Sequence, residues 1–236
     1  MEECSISDTS NLSCILKPQF RMELFKMPAI MPIIAERPLR FIFSIGICDK
    51  ITAMSEEIEL HYGHPFSMEG RQEREIRVYA YLDQLGIEYW QTDHKKEAYT
   101  MEDCEDVDAI LHATVCKNLF LCNHQKTQFY LLMMIGDKKF KTKDVSHQLG
   151  VARLSFADEA YMEKYLDIHP GAVSVMGLMN DHDKHVRLIV DRDILKGKYI
   201  GCHPCVNTSS LKIRTKDIFE KFVPSTGHDY TVVTID

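Results

Sequence analysis

The 236-residue sequence lacks several features that would assign it to a common class of protein. It has no P-loop, no dinucleotide-binding fingerprint and no Ser/His/Asp nucleophile motif, which opposes nucleotide-dependent and covalent catalysis of the usual kinds. Its most apolar runs, such as residues 41–48, are far shorter than the roughly 20 residues that a membrane span requires. If the chain is an enzyme, these absences favour one that positions a water molecule for attack and is not embedded in a membrane.

Eight cysteines occur without a cleavable signal-peptide pattern, which predicts free thiols in a reducing, cytoplasmic setting. Cys202 and Cys205 have the C-x-x-C spacing of a redox pair, and together with Cys116 and Cys122 they could be imagined as a zinc site. The strand predicted before Cys202 opposes a redox pair, because such a pair begins at a helix N-terminus. Buried thiols, without metal or cofactor, are the favoured interpretation.

Charge is distributed unevenly along a chain whose net charge is -7. Residues 54–110 contain 15 acidic and 5 basic side chains, whereas residues 111–153 contain 2 acidic and 7 basic ones, a net charge of +5. A basic segment inside an acidic protein can bind phosphates without making the whole molecule bind nucleic acid indiscriminately. A run such as residues 138–143 could equally be a solvated turn.

Residues 1–53 differ in composition from the remainder. They contain four prolines and show neither a helical nor a strand period, so we predict a poorly ordered N-terminal extension. A targeting peptide is the alternative, but its six basic residues are balanced by six acidic ones. Residues 54–236 show no repeat and no linker, which predicts a single domain.

Hydrophobic periodicity predicts a mixed α+β domain over residues 54–236. A first helix is predicted from Ser67, which can cap it, to Gly86, which ends it. Further helices are expected at 100–111, 143–149, 158–166 and 215–222. Strands are expected at 87–92, 115–121, 128–135, 186–191, 199–202, 208–213 and 229–235, with hairpins as the main connections.

The strand at 115–121 contains a lysine, Lys117, between apolar residues. A lysine is rarely buried without a compensating charge. Its ammonium either reaches into water along an apolar surface or lies in a pocket that receives an anionic or carbonyl ligand. Two further segments are ambiguous in the same way: residues 170–177 form either a plain turn or a ligand-binding loop, and residues 181–185 form either a solvated hairpin turn or a divalent-ion site.

Several motifs together resemble one family. They are Lys-Asn-Leu-Phe-Leu (117–121), Phe-Lys-Thr-Lys-Asp-Val (140–145), Leu-Gly-Val-Ala-Arg-Leu-Ser-Phe-Ala (149–157), Pro-Gly-Ala-Val-Ser (170–174) and His-Pro-Cys-Val-Asn-Thr (203–208). In this order they resemble the YbaK/prolyl-tRNA synthetase editing-domain family, and within it the free-standing prolyl-tRNA editing proteins. The resemblance covers about residues 56–234 and implies a mixed, partly barrel-like β-sheet with helices packed around it.

The resemblance implies hydrolysis of a mischarged aminoacyl-tRNA for proline, most simply Ala-tRNA. The implied partners are tRNA and prolyl-tRNA synthetase, and no metal or cofactor is implied. The residues expected in catalysis are Lys117, Gly171, Ala172, Ser174 and His203. Those expected to bind substrate are Asn118, Val173, Val175, Pro204, Asn207 and Thr208.

One departure and two alternatives remain. The family has a Gly-x-x-x-Pro loop where this chain has Gly171 followed by Val175, which leaves the accepted amino acid open. A Cys-tRNA deacylase of the same fold would use the thiol of its substrate. A non-catalytic module would bind tRNA or the synthetase with strong salt dependence and no turnover.

Overall fold

The computed structural model describes residues 59–94 and 111–236. The predicted extension at residues 1–53 and the body of the predicted helix at 100–111 lie outside these ranges. The strands are β1 His61–Tyr62, β2 Tyr89–Asp93, β3 Thr114–Cys122, β4 Phe129–Ile135, β5 Ser155–Phe156, β6 Val186–Asp191, β7 Tyr199–Cys202, β8 Ser209–Arg214 and β9 Tyr230–Val233.

The helices are α1 Glu73–Gln84, α2 Thr142–Leu149, α3 Glu159–Leu166, α4 Thr215–Asp217 and α5 Val223–Ser225, and a π-helical turn, Ile218–Phe222, joins the last two. Two 3-10 helices span Val175–Asn180 and Ile194–Lys196. In the described ranges no helix is both long and apolar enough to cross a bilayer.

The strands form one mixed sheet in the order β1-β2-β8-β7-β3-β4-β6-β9, and β5 pairs with β3 beside this path. β3 and β4 form the predicted antiparallel pair. In the described ranges only β3–β4 and β7–β8 are hairpins of directly connected strands, and the ladders β3–β7, β4–β6 and β6–β9 are parallel. The expectation that hairpins make most connections is therefore wrong. The mixed α+β class is confirmed. In the described ranges β1 and β9, at the two ends of the order, do not pair with each other.

Each face of the sheet covers its own core, because successive side chains of a strand point to opposite faces. On β4, Leu131 and Met133 enter the first core, which also contains side chains from α1 and α3. Leu132 and Met134 enter the second core, which includes Val145 of α2. A strand that is buried on both faces, such as β4, appears in the sequence as a continuous apolar run.

Two boundaries differ from the prediction. Ser67 accepts a hydrogen bond from Glu69 N–H at 3.2 Å in a turn, and α1 begins only at Glu73. The segment before residues 181–185 is a 3-10 helix, and not the first strand of a hairpin. Asp181 itself is buried, where its carboxylate accepts the N–H groups of His185 and Val186 at 3.0 and 2.7 Å. The solvated turn therefore comprises only residues 182–185.

Candidate active site

β3 has an opening along one of its two edges. One edge pairs with β4 over residues 116–122. The other pairs with β7 at residues 114–115 and with β5 at residues 121–122. In the described part of the chain no strand pairs with this second edge at residues 116–119, a stretch that we call the β3 gap. Ligands commonly bind where neighbouring strands diverge, because backbone and side chains are accessible there.

Lys117 and Asn118 both lie in the β3 gap but face opposite sides of the sheet. Lys117 shares its face with Leu119, which packs on the second core. Asn118 shares its face with Phe120, which belongs to the first core. The side chains of Lys117 and Asn118 therefore lie on opposite sides of the sheet, although the resemblance implies that both contact the same substrate.

The side chain of Asn118 has an unsatisfied atom. Its Oδ1 is buried and has no hydrogen-bond partner in the described part of the chain. A buried polar atom without a partner costs free energy, so such atoms concentrate where a ligand or water completes the bonding. Asn118 therefore fits a role in binding on the first-core side.

Lys117 contributes to a basic groove on the second-core side. This groove has a volume of about 910 Å³ and is lined by Lys117, Leu119, residues 136–143, Arg153 and Phe156. Lys138 is neutralised there, because its Nζ lies 2.7 Å from Asp191 Oδ2 and 2.5 Å from Asp193 Oδ2. The remaining cations give the groove its positive character.

On the first-core side, residues 170–174 form a tight loop before the 3-10 helix Val175–Asn180. Gly171 has φ 88°, a conformation that side chains disfavour. Ala172 N–H donates to His169 O at 3.1 Å, and the buried Ser174 Oγ accepts from Met176 N–H at 3.2 Å. Glycine thus makes the turn, and Ser174 caps the helix that follows.

The loop leaves backbone donors available. Among the described residues, Val173 and Ser174 donate their N–H groups to no other group. Val173 is half-buried and Ser174 is fully buried, so a ligand reaches the second amide only by entering the loop. Adjacent amides of this kind can bind a carbonyl oxygen or an anion. The amide of Ala172, a residue that the resemblance places in catalysis, is occupied by the turn.

The resemblance implies that Val175 binds substrate, but Val175 does not line the surface of this loop. Its side chain is fully buried in the first core, so it supports the loop from within. Ser174 before it is extended, with φ -147° and ψ 150°, a conformation that a following proline also favours. The backbone at Ser174 is thus compatible with a proline at position 175, although this chain has valine there.

His203 begins the connection between β7 and β8. Its Nδ1 lies 2.9 Å from Ser209 O and donates to it, which leaves the Nε2 lone pair available as an acceptor. Burial lowers the pKa of His203, so its imidazole is neutral at physiological pH. In the same connection Pro204 is buried, while Asn207 and Thr208 are half-buried.

His94, at the end of β2, is a site residue that the sequence prediction missed. Its ring centroid lies 6.0 Å from that of His203, and its Nε2 lies 2.9 Å from Ser210 Oγ. Its Nδ1 is buried without a hydrogen-bond partner in the described ranges. Burial, with His203 nearby, lowers the pKa of His94 to about 4. The only available signal was a histidine two residues after the predicted strand at 87–92.

The cysteines near this site are not nucleophiles. Cys116 is half-buried, and Cys202 and Cys205 are buried, which confirms the interpretation of the last two as buried thiols. Burial raises the pKa of Cys202 to about 12 and raises the pKa of Cys116 and Cys205 as well. All three are protonated at neutral pH, so a reactive thiolate is disfavoured. Within residues 59–94 and 111–236 no group of three His, Cys, Asp or Glu side chains could hold a metal ion.

The arrangement defines a class of protein. Free loop amides can stabilise an oxyanion, neutral imidazoles can orient water, and a basic groove opens on the other side of the same strand. A mixed α+β domain with these parts is suited to hydrolysing an ester whose remaining portion is anionic.

The chain belongs to the aminoacyl-tRNA editing domain family, whose model matches residues 95–221. It is 32% identical over 158 residues to the prolyl-tRNA editing protein ProX of Acetoanaerobium sticklandii, covering 67% of this chain and 95% of that protein. It is 31% identical over 144 residues to prolyl-tRNA synthetase associated domain-containing protein 1 of Bos taurus, covering 59% and 83% of the two chains. The predicted family, a class of aminoacyl-tRNA deacylases, is confirmed.

Solved structures share the fold. The crystal structure of a candidate trans-editing enzyme for prolyl tRNA synthetase superposes with a TM-score of 0.54 at 14% identity, covering 70% of this chain and 98% of that one. A hypothetical protein superposes equally well, with a TM-score of 0.54 at 16% identity over 67% and 98% of the two chains. At these identities the similarity supports the fold alone.

Proposed function

We propose that this chain hydrolyses the ester bond of mischarged tRNA for proline in trans, with alanine as the edited amino acid. The observation that carries the proposal is the loop at residues 170–174, which packs on the first core and in which the amides of Val173 and Ser174 have no partner among the described residues. The prolyl-tRNA editing protein among the relatives supports the tRNA. Such an enzyme would maintain translation fidelity, and we infer a cytoplasmic setting together with charged tRNA.

In this proposal the loop and His203 place the reacting atoms. The amides of Val173 and Ser174 donate to the ester carbonyl oxygen as it becomes an oxyanion. The Nε2 of His203 accepts a hydrogen bond from the attacking water, since this nitrogen bears the lone pair. The water oxygen bonds to the carbonyl carbon, the ester C–O bond breaks, and a proton passes to the ribose oxygen, assisted by the neighbouring hydroxyl.

The two residues of the β3 gap would bind different parts of the substrate. Asn118 faces the first-core side, where its unsatisfied Oδ1 can accept a hydrogen bond from the ammonium group of the aminoacyl moiety. Lys117 faces the basic groove and is suited to a phosphate of the terminal nucleotides. This geometry favours the phosphate over the aminoacyl group as the ligand of Lys117.

The alternative chemistries make different predictions, which the assay described below distinguishes. A Cys-tRNA deacylase uses the thiol of its substrate and needs no positioned water, whereas the free amides and neutral His203 suit a positioned one. Prolyl-tRNA synthetase is a further proposed partner, since several relatives are named as its associated domain. A pure binding module would leave the loop amides without a use.

A deacylation assay tests the proposal. tRNA charged with alanine, cysteine, serine or proline is incubated separately with the protein, and the remaining ester is followed over time. We expect hydrolysis of Ala-tRNA for proline and stability of the proline ester. Preferential loss of the cysteine ester would favour the thiol mechanism, and salt-dependent binding without turnover would leave only a binding module.

Lys117→Ala provides the residue-level test. Losing a charge that positions the substrate should lower the single-turnover rate by on the order of 100-fold. Because Lys117 is half-exposed, the melting temperature should change little. Lys164→Ala, an exposed lysine on α3, is the matched control and should retain the wild-type rate. A Lys117→Ala variant with the wild-type rate would remove this residue from the mechanism.

A further inference from the structure

The basic groove contains four cations besides Lys117 and the neutralised Lys138. Lys139, Lys141, Lys143 and Arg153 are all exposed and line it. None of the four lies within 4 Å of a carboxylate in the described part of the chain, in contrast to Lys138. Asp137 is the one acidic side chain in the lining, so the groove remains strongly positive.

Two phenyl rings lie among these cations. Phe156, on the edge strand β5, is 61% exposed, and Phe140 packs against it with a centroid distance of 6.1 Å at an interplanar angle of 68°. A large apolar side chain so exposed between cations has no role in either core. Exposed aromatic rings beside lysine and arginine are the standard means of binding unpaired nucleobases, which stack on the ring while phosphates contact the cations.

The groove continues past Phe156. A second depression of about 620 Å³ shares Thr142, Arg153 and Phe156 with it and extends to His124. Phe156 and Arg153 therefore lie on the boundary of two adjoining depressions, an arrangement that suits a ligand longer than one nucleotide. An acidic polypeptide would use the cations but would leave both rings without a partner.

We propose that this groove binds the single-stranded 3′ end of an RNA, with a base stacked on Phe156 and phosphates held by Lys139, Lys141, Lys143 and Arg153. The inference rests on the proposed function, which it deepens by naming the surface that holds the substrate. Lys117 would take the phosphate nearest the β3 gap. The groove would bind the strand without reading its sequence, because the described lining offers few neutral hydrogen-bonding side chains for base edges.

The test measures binding separately from chemistry. A fluorescein-labelled single-stranded RNA octamer ending in CCA is titrated with full-length protein between about 50 and 200 mM salt, and anisotropy gives the dissociation constant. The variants are Lys141→Gln/Lys143→Gln and Phe156→Ala. The matched control is Lys164→Gln/Lys216→Gln, which removes the same charge outside the groove.

Each variant has a distinct expected signature. The groove lysine pair should bind about fivefold to tenfold more weakly, and its log–log salt slope should become shallower by about 1.4, as expected for two lost phosphate contacts on a single strand. Phe156→Ala should bind about tenfold more weakly with an unchanged slope. The control should match the wild type in slope and nearly in affinity.

The test distinguishes failure of the groove assignment from failure of the proposed function. Groove variants that bind the octamer as tightly as the wild type would overturn the groove assignment, even if the protein deacylates tRNA. A wild-type protein that binds polyglutamate but not the octamer would overturn it too, in favour of an acidic polypeptide. Weakened binding in the variants, with no deacylation by the wild type on any charged tRNA, would leave the groove assigned and overturn the proposed function.

Discussion

At the scale of single residues, His94 links the site to the pH dependence of folding. Its folded pKa of about 4 lies below the unfolded value of about 6.5. Between these values the unfolded chain binds more protons, so the free energy of unfolding rises with pH in this window and falls as the pH drops through it. Because His94 is only half-buried, we expect about 1–2 kcal/mol to be lost between pH 6.5 and pH 4.

The measurement compares wild type with His94→Gln, whose amide can still bond to Ser210. Thermal melts at pH 7 and pH 4.5 should show a smaller loss of melting temperature in the variant, by about 2–5 °C. Carboxylates titrate in both proteins, so the difference isolates His94. Equal losses in the two proteins would show that His94 is protonated as readily in the folded state as in the unfolded one.

Lys117 shows what the sequence could predict about single residues. Its strand and the pairing partner of that strand were predictable, since both are long apolar runs. The resemblance grouped Lys117 with Asn118 around one ligand, but neighbouring residues of a strand point to opposite faces. His94 was missed because its environment is created by Ser210 and His203, which lie more than 100 positions away in the chain.

At the scale of elements, Ser174 is the residue that fixes the active-site loop to the helix after it. Ser174→Ala removes a buried cap and should cost about 1 kcal/mol, or about 2–4 °C in melting temperature. It should also lower deacylation several-fold, since the amides of Val173 and Ser174 would lose their fixed orientation.

Ser67→Ala is the control for this variant. Its hydroxyl also accepts from the N–H two residues later at 3.2 Å, but at an exposed turn. Water can replace that bond, so the melting temperature and the rate should stay within error of the wild type. Equal effects of the two substitutions would show that the loop does not depend on its cap.

The sequence predicted the positions of helices better than it predicted which distant strands pair. α2 and α3 occur close to the predicted positions because α2 ends at Gly150, which has φ 65°, and both have a clear helical period. The parallel ladders of β4 with β6 and of β6 with β9 were not predicted. Parallel partners are brought together by distant crossovers, which no local pattern encodes.

At the scale of the whole molecule, the charge asymmetry noted in the sequence becomes spatial. Six of the seven basic residues of 111–153, all but Lys126, line the groove beside β3 although the protein has a net charge of -7. The sign of the whole chain would disfavour RNA, whereas the groove provides a local field that attracts it. The sequence revealed the excess of positive charge, but only the fold placed Lys117 and Arg153 in one groove.

Deletion of residues 1–53 tests whether they are a dispensable extension, as predicted. Residues 1–53 lie outside the family match at 95–221 and lack periodicity, so their deletion should leave deacylation unchanged and shift the melting temperature by less than about 5 °C. Calorimetry and the Ala-tRNA assay on both forms measure this. A larger fall, equivalent to roughly 1–2 kcal/mol, would show that the extension packs on the domain.

The β3 gap also has an expected consequence for solubility. A strand edge without a partner is a template on which a strand of another molecule can add, the first step of edge-to-edge aggregation. Charged side chains, lysine above all, discourage this addition because a second strand would have to desolvate them. Lys117 lies in the gap, so the ammonium proposed to hold RNA would also keep copies of the chain from joining there between catalytic cycles.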